Sequence, residues 1–285
     1  MAAGENTLNA LCARLVTRTI ADSKGAYDPE AFLRNYVAFM YVALAHVPPR
    51  HHYDTIRTTP GTHNDTYAES FHRDFFSNWA RGIPPAQCAK GTEGHNTASI
   101  GGFVMLPPVT LSLAGPRGDW PSASCATRRH LALTHDSTSL ARYADVYAQL
   151  LYDVARGGDL RSGAKAAAAS LGVDVERLAG LDDRAVVQRF GSACYITSSL
   201  PVVLYLAYKH AGSFEEAVLA NVNAGGENAH RGAALGALMG AAVGKSVRGG
   251  LMWVLGVHKL YRAYLCGLST GCTIPRQLTR RSTRM

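Results

Sequence analysis

From Leu8 to Tyr264 the apolar residues of this 285-residue chain return every three or four positions, and strict alternation is almost absent. A repeat near 3.6 lays one apolar stripe along a helix, whereas a half-buried strand needs a repeat of two. The pattern predicts an all-α domain. Leu8, Leu11, Cys12, Leu15, Val16 and Ile20 form the first stripe. Asp28-Pro29-Glu30 restarts a helix, with Asp28 as N-cap and Pro29 in the first turn, and Phe32, Leu33, Tyr36, Val37 and Met40 as its buried face. Val47-Pro48-Pro49 breaks the pattern, 50–61 reads as a loop, and a further helix is expected from Asp65 to Trp79. Helices are also expected over 137–155, 162–172, 182–190, 197–210, 213–222 and 249–264, with a Gly-rich helix after Gly226. The stretch from Gly115 to Arg129 reads as a loop.

Hydrophobic residues make up 47% of the chain and charged residues 18%, which excludes a disordered chain and allows a sizeable core. The net charge of +8 points to anionic partners, but Arg276, Arg280, Arg281 and Arg284 supply four of those charges from the last ten residues. The expectation is one domain over 1–274 and a solvated basic tail over 275–285, with nucleic-acid contact through that tail as a weaker alternative. The six cysteines form no CxxC pair, which fits free thiols in a reducing compartment, cytoplasmic or nuclear. The N-terminus does not read as a signal peptide, and no apolar run reaches membrane-span length.

Polar chemistry concentrates at Asn223-Ala224-Gly225-Gly226-Glu227-Asn228-Ala229-His230-Arg231, where a Gly-Gly turn opens into a helix. A helix N-terminus presents free N–H groups and a positive dipole end. Glu227, Asn228 and His230 there suit a cap, an anion site or part of a metal site. Gly4-Glu5-Asn6 echoes the pattern ahead of the first helix. Gly232, Gly236, Gly240 and Gly244 follow at every fourth position, a spacing that lets two helices approach closely. Asp65 and Glu69, four apart, suit a metal or an acid/base pair, or else an N-cap with Glu69 exposed. His95, Asn96, Ser99 and Gly101 lie in a Gly-rich segment that either lines a phosphate site or is a polar surface loop. His135 stands at a helix start as a phosphate or ribose contact, or as a capping imidazole. His46, His51 and His52 have no ligand spacing.

Taken in order, these stretches resemble the ADP-ribosylglycohydrolase family. Ser213 to Val218, followed by Asn223 to Gly236, is similar to that family's helix, Gly-Gly-Asp-x-Asp-Thr turn and small-residue helix. Gly4-Glu5-Asn6-Thr7 resembles its Thr-Asp-Asp-Thr motif, Asn96 to Pro108 its Gly-Asn-Gly-x-x-Met-Arg-x-x-Pro loop, and Thr134-His135 its helix-opening Thr-His. The likeness runs over most of residues 4–250, with 41–62 and 114–130 fitting poorly. The family's upstream helix, with a Gly-Asp-x-x-Gly and a downstream Glu, has no counterpart ahead of Gly4.

The resemblance implies an orthogonal all-α fold and hydrolysis of the glycosidic bond between ADP-ribose and a protein side chain or small molecule. It implies Mg²⁺ at the two acidic motifs, holding ribose hydroxyls and activating water. Carried over by position, Glu5 and Glu227 become the catalytic candidates and Glu5, Asn6, Glu227 and His230 the metal set. Asn96, Ser99, Gly101, His135 and Asn228 become substrate contacts. Two of four acidic positions keep a carboxylate, because Asn6 and Ala229 stand where the family has Asp. The added imidazole of His230 admits Mn²⁺ or another divalent metal. The alternative implied by those changes is a catalytically impaired relative that binds ADP-ribose or serves a structural role.

Overall fold

A computed structural model describes residues 6–41, 57–58, 61–62, 68–94 and 97–244. Within them run α1 (Leu8–Asp22), α2 (Pro29–Tyr41), α3 (Ser70–Ala80), α4 (Leu106–Ser112), α5 (Trp120–Ala132) and α6 (Thr138–Ala155). The second half holds α7 (Leu160–Ser170), α8 (Val175–Leu178), α9 (Asp183–Phe190), α10 (Ile196–Lys209), α11 (Phe214–Ala224) and α12 (Asn228–Val243). The expected all-α architecture is what the structure shows. The small exception is a two-residue antiparallel pairing of Arg57 with Thr62 and Thr58 with Gly61. Glu5, Asp65, Asn96, the predicted helix over 249–264 and the tail over 275–285 lie outside the described residues. None of the described helices is long and apolar enough to cross a membrane.

Two apolar clusters organise the molecule. The smaller joins Leu8, Cys12 and Val16 of α1, Phe32 and Tyr36 of α2, and Phe71 and Phe75 of α3. The larger is built around α10, whose Leu200, Val202, Val203, Leu204 and Leu206 are all fully buried. Each such side chain contributes about 1.5–3 kcal/mol relative to exposure, so α10 outweighs its internal Pro201 (about 3 kcal/mol). The segment around α4 bridges the clusters, with Met105 and Val109 in the smaller and Leu106 in the larger. The seam between them is where the polar site forms.

Helix starts follow the sequence signals. Thr7, Asp119, Ser137, Asp159, Ser213 and Glu227 each accept a hydrogen bond from the backbone N–H three residues on, satisfying one of the donors a helix leaves open. Three expectations are corrected. Residues 115–129 are not all loop, since Asp119 caps α5 and Pro121 sits in its first turn. Helix α3 begins at Ser70, with Glu69 extended just ahead of it and 6% exposed rather than solvated. The glycine ladder of α12 is a close-packing face at one rung. A Cβ at Gly232 would lie 3.0 Å from Asn221 of α11, while at Gly236 and Gly240 it would meet nothing within 4 Å among the described residues.

Candidate functional site

The turn into α12 is held by backbone geometry that side chains resist. Gly225 and Gly226 have φ of 75° and 69°, in the left-handed region that glycine enters without steric penalty. A Cβ at Gly226 would stand 2.5 Å from the Ser192 carbonyl. That same carbonyl accepts from the Glu227 N–H at 2.9 Å, so the turn is pinned to the loop ahead of α10. Arg231, fully buried, clamps it from behind: Nε donates to Asn221 Oδ1 at 2.8 Å and Nη2 to the Gly225 carbonyl at 2.7 Å.

Glu227 is thereby set at the N-cap, where its Oε1 accepts from the His230 N–H at 3.2 Å. The His230 ring turns back over the cap, and its Nδ1 lies 3.2 Å from Glu227 Oε1 and 3.1 Å from Glu69 Oε1. The hydrogen bond from the His230 side chain, stronger than the opposing effect of burial, holds the Glu227 carboxyl below its usual range. Glu227 is ionised at neutral pH.

Glu69 closes the other side. Asn9 Nδ2 donates to its Oε1 at 2.7 Å, and the Ser99 hydroxyl donates to its Oε2 at 2.7 Å. Asn9 also donates to the Gly101 carbonyl at 3.2 Å. Behind Asn9 the chain of donors continues into the smaller core. Asn9 Oδ1 can only accept, so His72 Nε2, 3.1 Å away, carries the proton, and His72 Nδ1 takes the Tyr36 hydroxyl at 2.5 Å. Burial pushes the Tyr36 phenol well above its ordinary range, which keeps it the donor. The room for Glu69 exists because residue 101 has no side chain. A Cβ there would stand 1.9 and 2.3 Å from the two carboxylate oxygens.

The segment carrying Ser99 is sewn to the loop before α10. Ile100 N–H donates to Cys194 O at 2.9 Å, Ile196 N–H to Ala98 O at 2.9 Å, and Ser99 bridges to Tyr195. This brings the half-buried Cys194 into the field of the site. Burial, and then the charges of Glu69 and Glu227, hold its thiol above the ordinary range, so it is not poised as a nucleophile.

Of the residues singled out in the sequence, Glu227, His230 and Ser99 are brought together, and Gly101 supplies a carbonyl and open space. Asn228 sits beside them, its Nδ2 donating to Val222 O at 3.4 Å. Asn6 is half-buried just ahead of the α1 cap Thr7, while Glu5 and Asn96 lie outside the described residues. His135 is 3% exposed, beneath the Gly102 backbone and against Phe71, with Nδ1 at 2.8 Å from the Thr134 hydroxyl. Sequence reasoning missed Asn9 and His72 and assigned Glu69 no buried role. An open groove of about 300 Å³ along α3, lined by Asp74, Asn78, Arg81 and Glu93 among others, includes none of the cluster residues.

The described donors do not fit a divalent metal. No three His, Cys, Asp or Glu side chains among the described residues stand in metal-holding geometry. Both Glu69 oxygens already take protein donors at 2.7 Å. Glu5, the remaining carboxylate of the expected set, is not among the described residues.

An all-α scaffold that presents a Gly-Gly turn, a carboxylate cap and an imidazole against a second buried carboxylate defines a class of helical proteins with one polar site at a core seam. The comparisons narrow it. A family model described as ADP-ribosylglycohydrolase matches residues 2–263, and the chain belongs to that family. A solved structure described as an ADP-ribosylglycohydrolase-related protein complex superposes with a TM-score of 0.63 at 19% identity, covering 93% of this chain and 81% of that one. Comparison with curated proteins gave no match.

Proposed function

We propose that this chain binds ADP-ribose at the seam between its two cores and hydrolyses the glycosidic bond that joins it to a protein side chain or a small molecule. The observation that supports this is the convergence of Glu227 and His230, on the family's C-terminal motif, with the buried Glu69. Cleavage at an anomeric carbon develops positive charge on the sugar, which an ionised carboxylate stabilises, and it needs a base for the attacking water. Glu227, half-buried and held ionised, suits either task. Glu69, locked by Asn9 and Ser99, orients the imidazole rather than reacting itself. Asn228, half-buried beside the cluster, would contact the ligand, while Ser99, fully buried, acts through Glu69.

The experiment is titration calorimetry with ADP-ribose, run beside release of ADP-ribose from ADP-ribosylated Ser and Arg peptides. Binding with release, both reduced by Glu227→Gln, is the expected result; neither binding nor release refutes the reading. A second reading, a binder without turnover, is favoured by Ala229, which stands exposed where the family motif has an Asp. It predicts binding without release.

A further inference from the structure

The site's two described carboxylates share one imidazole neighbour. His230 Nδ1 is 3.1 Å from Glu69 Oε1 and 3.2 Å from Glu227 Oε1. A carboxylate oxygen only accepts, so two carboxylates at these distances favour the ring form that carries its proton on Nδ1, neutral or charged. We infer that this imidazole N–H replaces a divalent metal as the group joining the site's carboxylates, and that the chain takes ADP-ribose without a metal ion. The ligand part of this inference rests on the proposed ADP-ribose reading; the metal part does not.

Three further features lead the same way. A hard cation needs carboxylate lone pairs at about 2.0–2.1 Å for Mg²⁺, with near-octahedral geometry. On Glu69 the Asn9 amide and the Ser99 hydroxyl each take one lone pair, and His230 Nδ1 also faces Oε1. Freeing Glu69 Oε1 means uprooting Asn9, which is fixed by the Gly101 carbonyl and by the buried His72–Tyr36 pair. The carboxylate fills the volume that a side chain at 101 would occupy. Lastly, the α12 position where the family motif supplies a second acid is the methyl of Ala229. Among the described residues, the one further carboxylate a metal there would meet is Glu227, whose Oε1 accepts from the His230 N–H and lies beside its ring.

Glu227, half-buried at the α12 turn, is then the described carboxylate that a ligand would meet. A carboxylate paired with a fixed imidazole is complementary to a vicinal diol, which donates to the carboxylate and accepts from N–H groups. The ribose hydroxyls of ADP-ribose have that chemistry.

The test uses the full chain after chelation, in two parts. Thermal unfolding is followed in EDTA and then in MgCl₂, MnCl₂ or ZnCl₂, and the metal content of the untreated protein is measured. A metal held at 100-fold over its Kd should raise the midpoint of a protein this size by about 4–5 °C. The expected result is no saturable shift and less than one metal per chain; a shift of that size, lost in Glu227→Gln, overturns the inference. ADP-ribose titrations are then compared in EDTA and in Mg²⁺. Equal affinity supports the inference, and a tenfold gain in Mg²⁺ overturns it while leaving the proposed function standing. Absence of ADP-ribose binding in both buffers overturns the proposed function, and with it the ligand part, while the unfolding data still decide the metal part.

Discussion

Lowering the pH should unfold this protein through two histidines that the site does not use. His130 and His135 are buried at 1% and 3% exposure. Each engages its Nδ1, His130 with the Tyr27 hydroxyl at 2.8 Å and His135 with the Thr134 hydroxyl at 2.8 Å. The Nε2 of each is buried without a hydrogen-bond partner. Protonating either ring places an unpaired N–H and a charge in a region walled by Phe32 and Phe71. Burial lowers both pKa values to about 3, and for His135 the neighbouring His130 adds to the effect. In the unfolded chain both return to about 6.5, so between those values the unfolded state binds more protons. Their contribution is complete above pH 6.5 and is lost as the pH falls toward 3. At pH 5 each histidine costs about 2 kcal/mol, and the pair about 4, against a typical total of 5–15. The limiting slope is about 2.7 kcal/mol per pH unit for two groups. Urea midpoints by far-UV circular dichroism at several values between pH 7.5 and 5 read this directly. His130→Phe or His135→Leu should each halve the slope, whatever it does to stability at pH 7.5. A stability that changes by less than about 0.5 kcal/mol over that interval, or a slope unmoved in both variants, refutes the argument.

Gly101→Ala should destabilise the protein by about 1–3 kcal/mol, because its Cβ lands on the Glu69 carboxylate; the same change in a Glu69→Ala background should cost much less, and a thermal double-mutant cycle measures the difference. Asp119→Ala, which removes the cap of α5 while leaving the site untouched, should cost about 1 kcal/mol in urea unfolding with ADP-ribose affinity unchanged. Arg231→Leu strands Asn221 Oδ1 and the Gly225 carbonyl. It should cost about 2–4 kcal/mol and weaken ADP-ribose binding, since the turn that presents Glu227 loses its clamp.

The helices were legible wherever large apolar residues carried the period. Helices α1, α2, α6 and α10 start within about two residues of where their stripes and caps place them. Helix α5 was not, although its period is present. Its buried face is Ala123, Thr127, His130 and Leu131, a proper helical spacing written in small and polar residues. A hydrophobicity pattern does not register a threonine or histidine that goes inside because it finds a partner. Here Thr127 meets the Thr110 hydroxyl at 3.0 Å and His130 meets Tyr27. Helix α8 is a single turn, too short to show a period.

The same physics decided which half of the site could be read. Glu227 and His230 sit within one turn of a helix behind a Gly-Gly dipeptide, so local rules for caps and glycine backbones expose them. Glu69 has no local signature. Glutamate is almost never buried unless paired, and its partners arrive from α1, from the segment after Gly94 and from α12, each remote in sequence. Its one trace in the sequence is the Gly101-Gly102 pair, readable beforehand only as backbone freedom. In the structure Gly101 is the absence of a side chain that makes room for a carboxylate, and Gly102 clears His135. Neither of these two glycines has a positive φ; each leaves room for a group held close beside it. What is held cannot be named until the fold delivers it, and beside Gly101 it is the acid that faces His230 of α12.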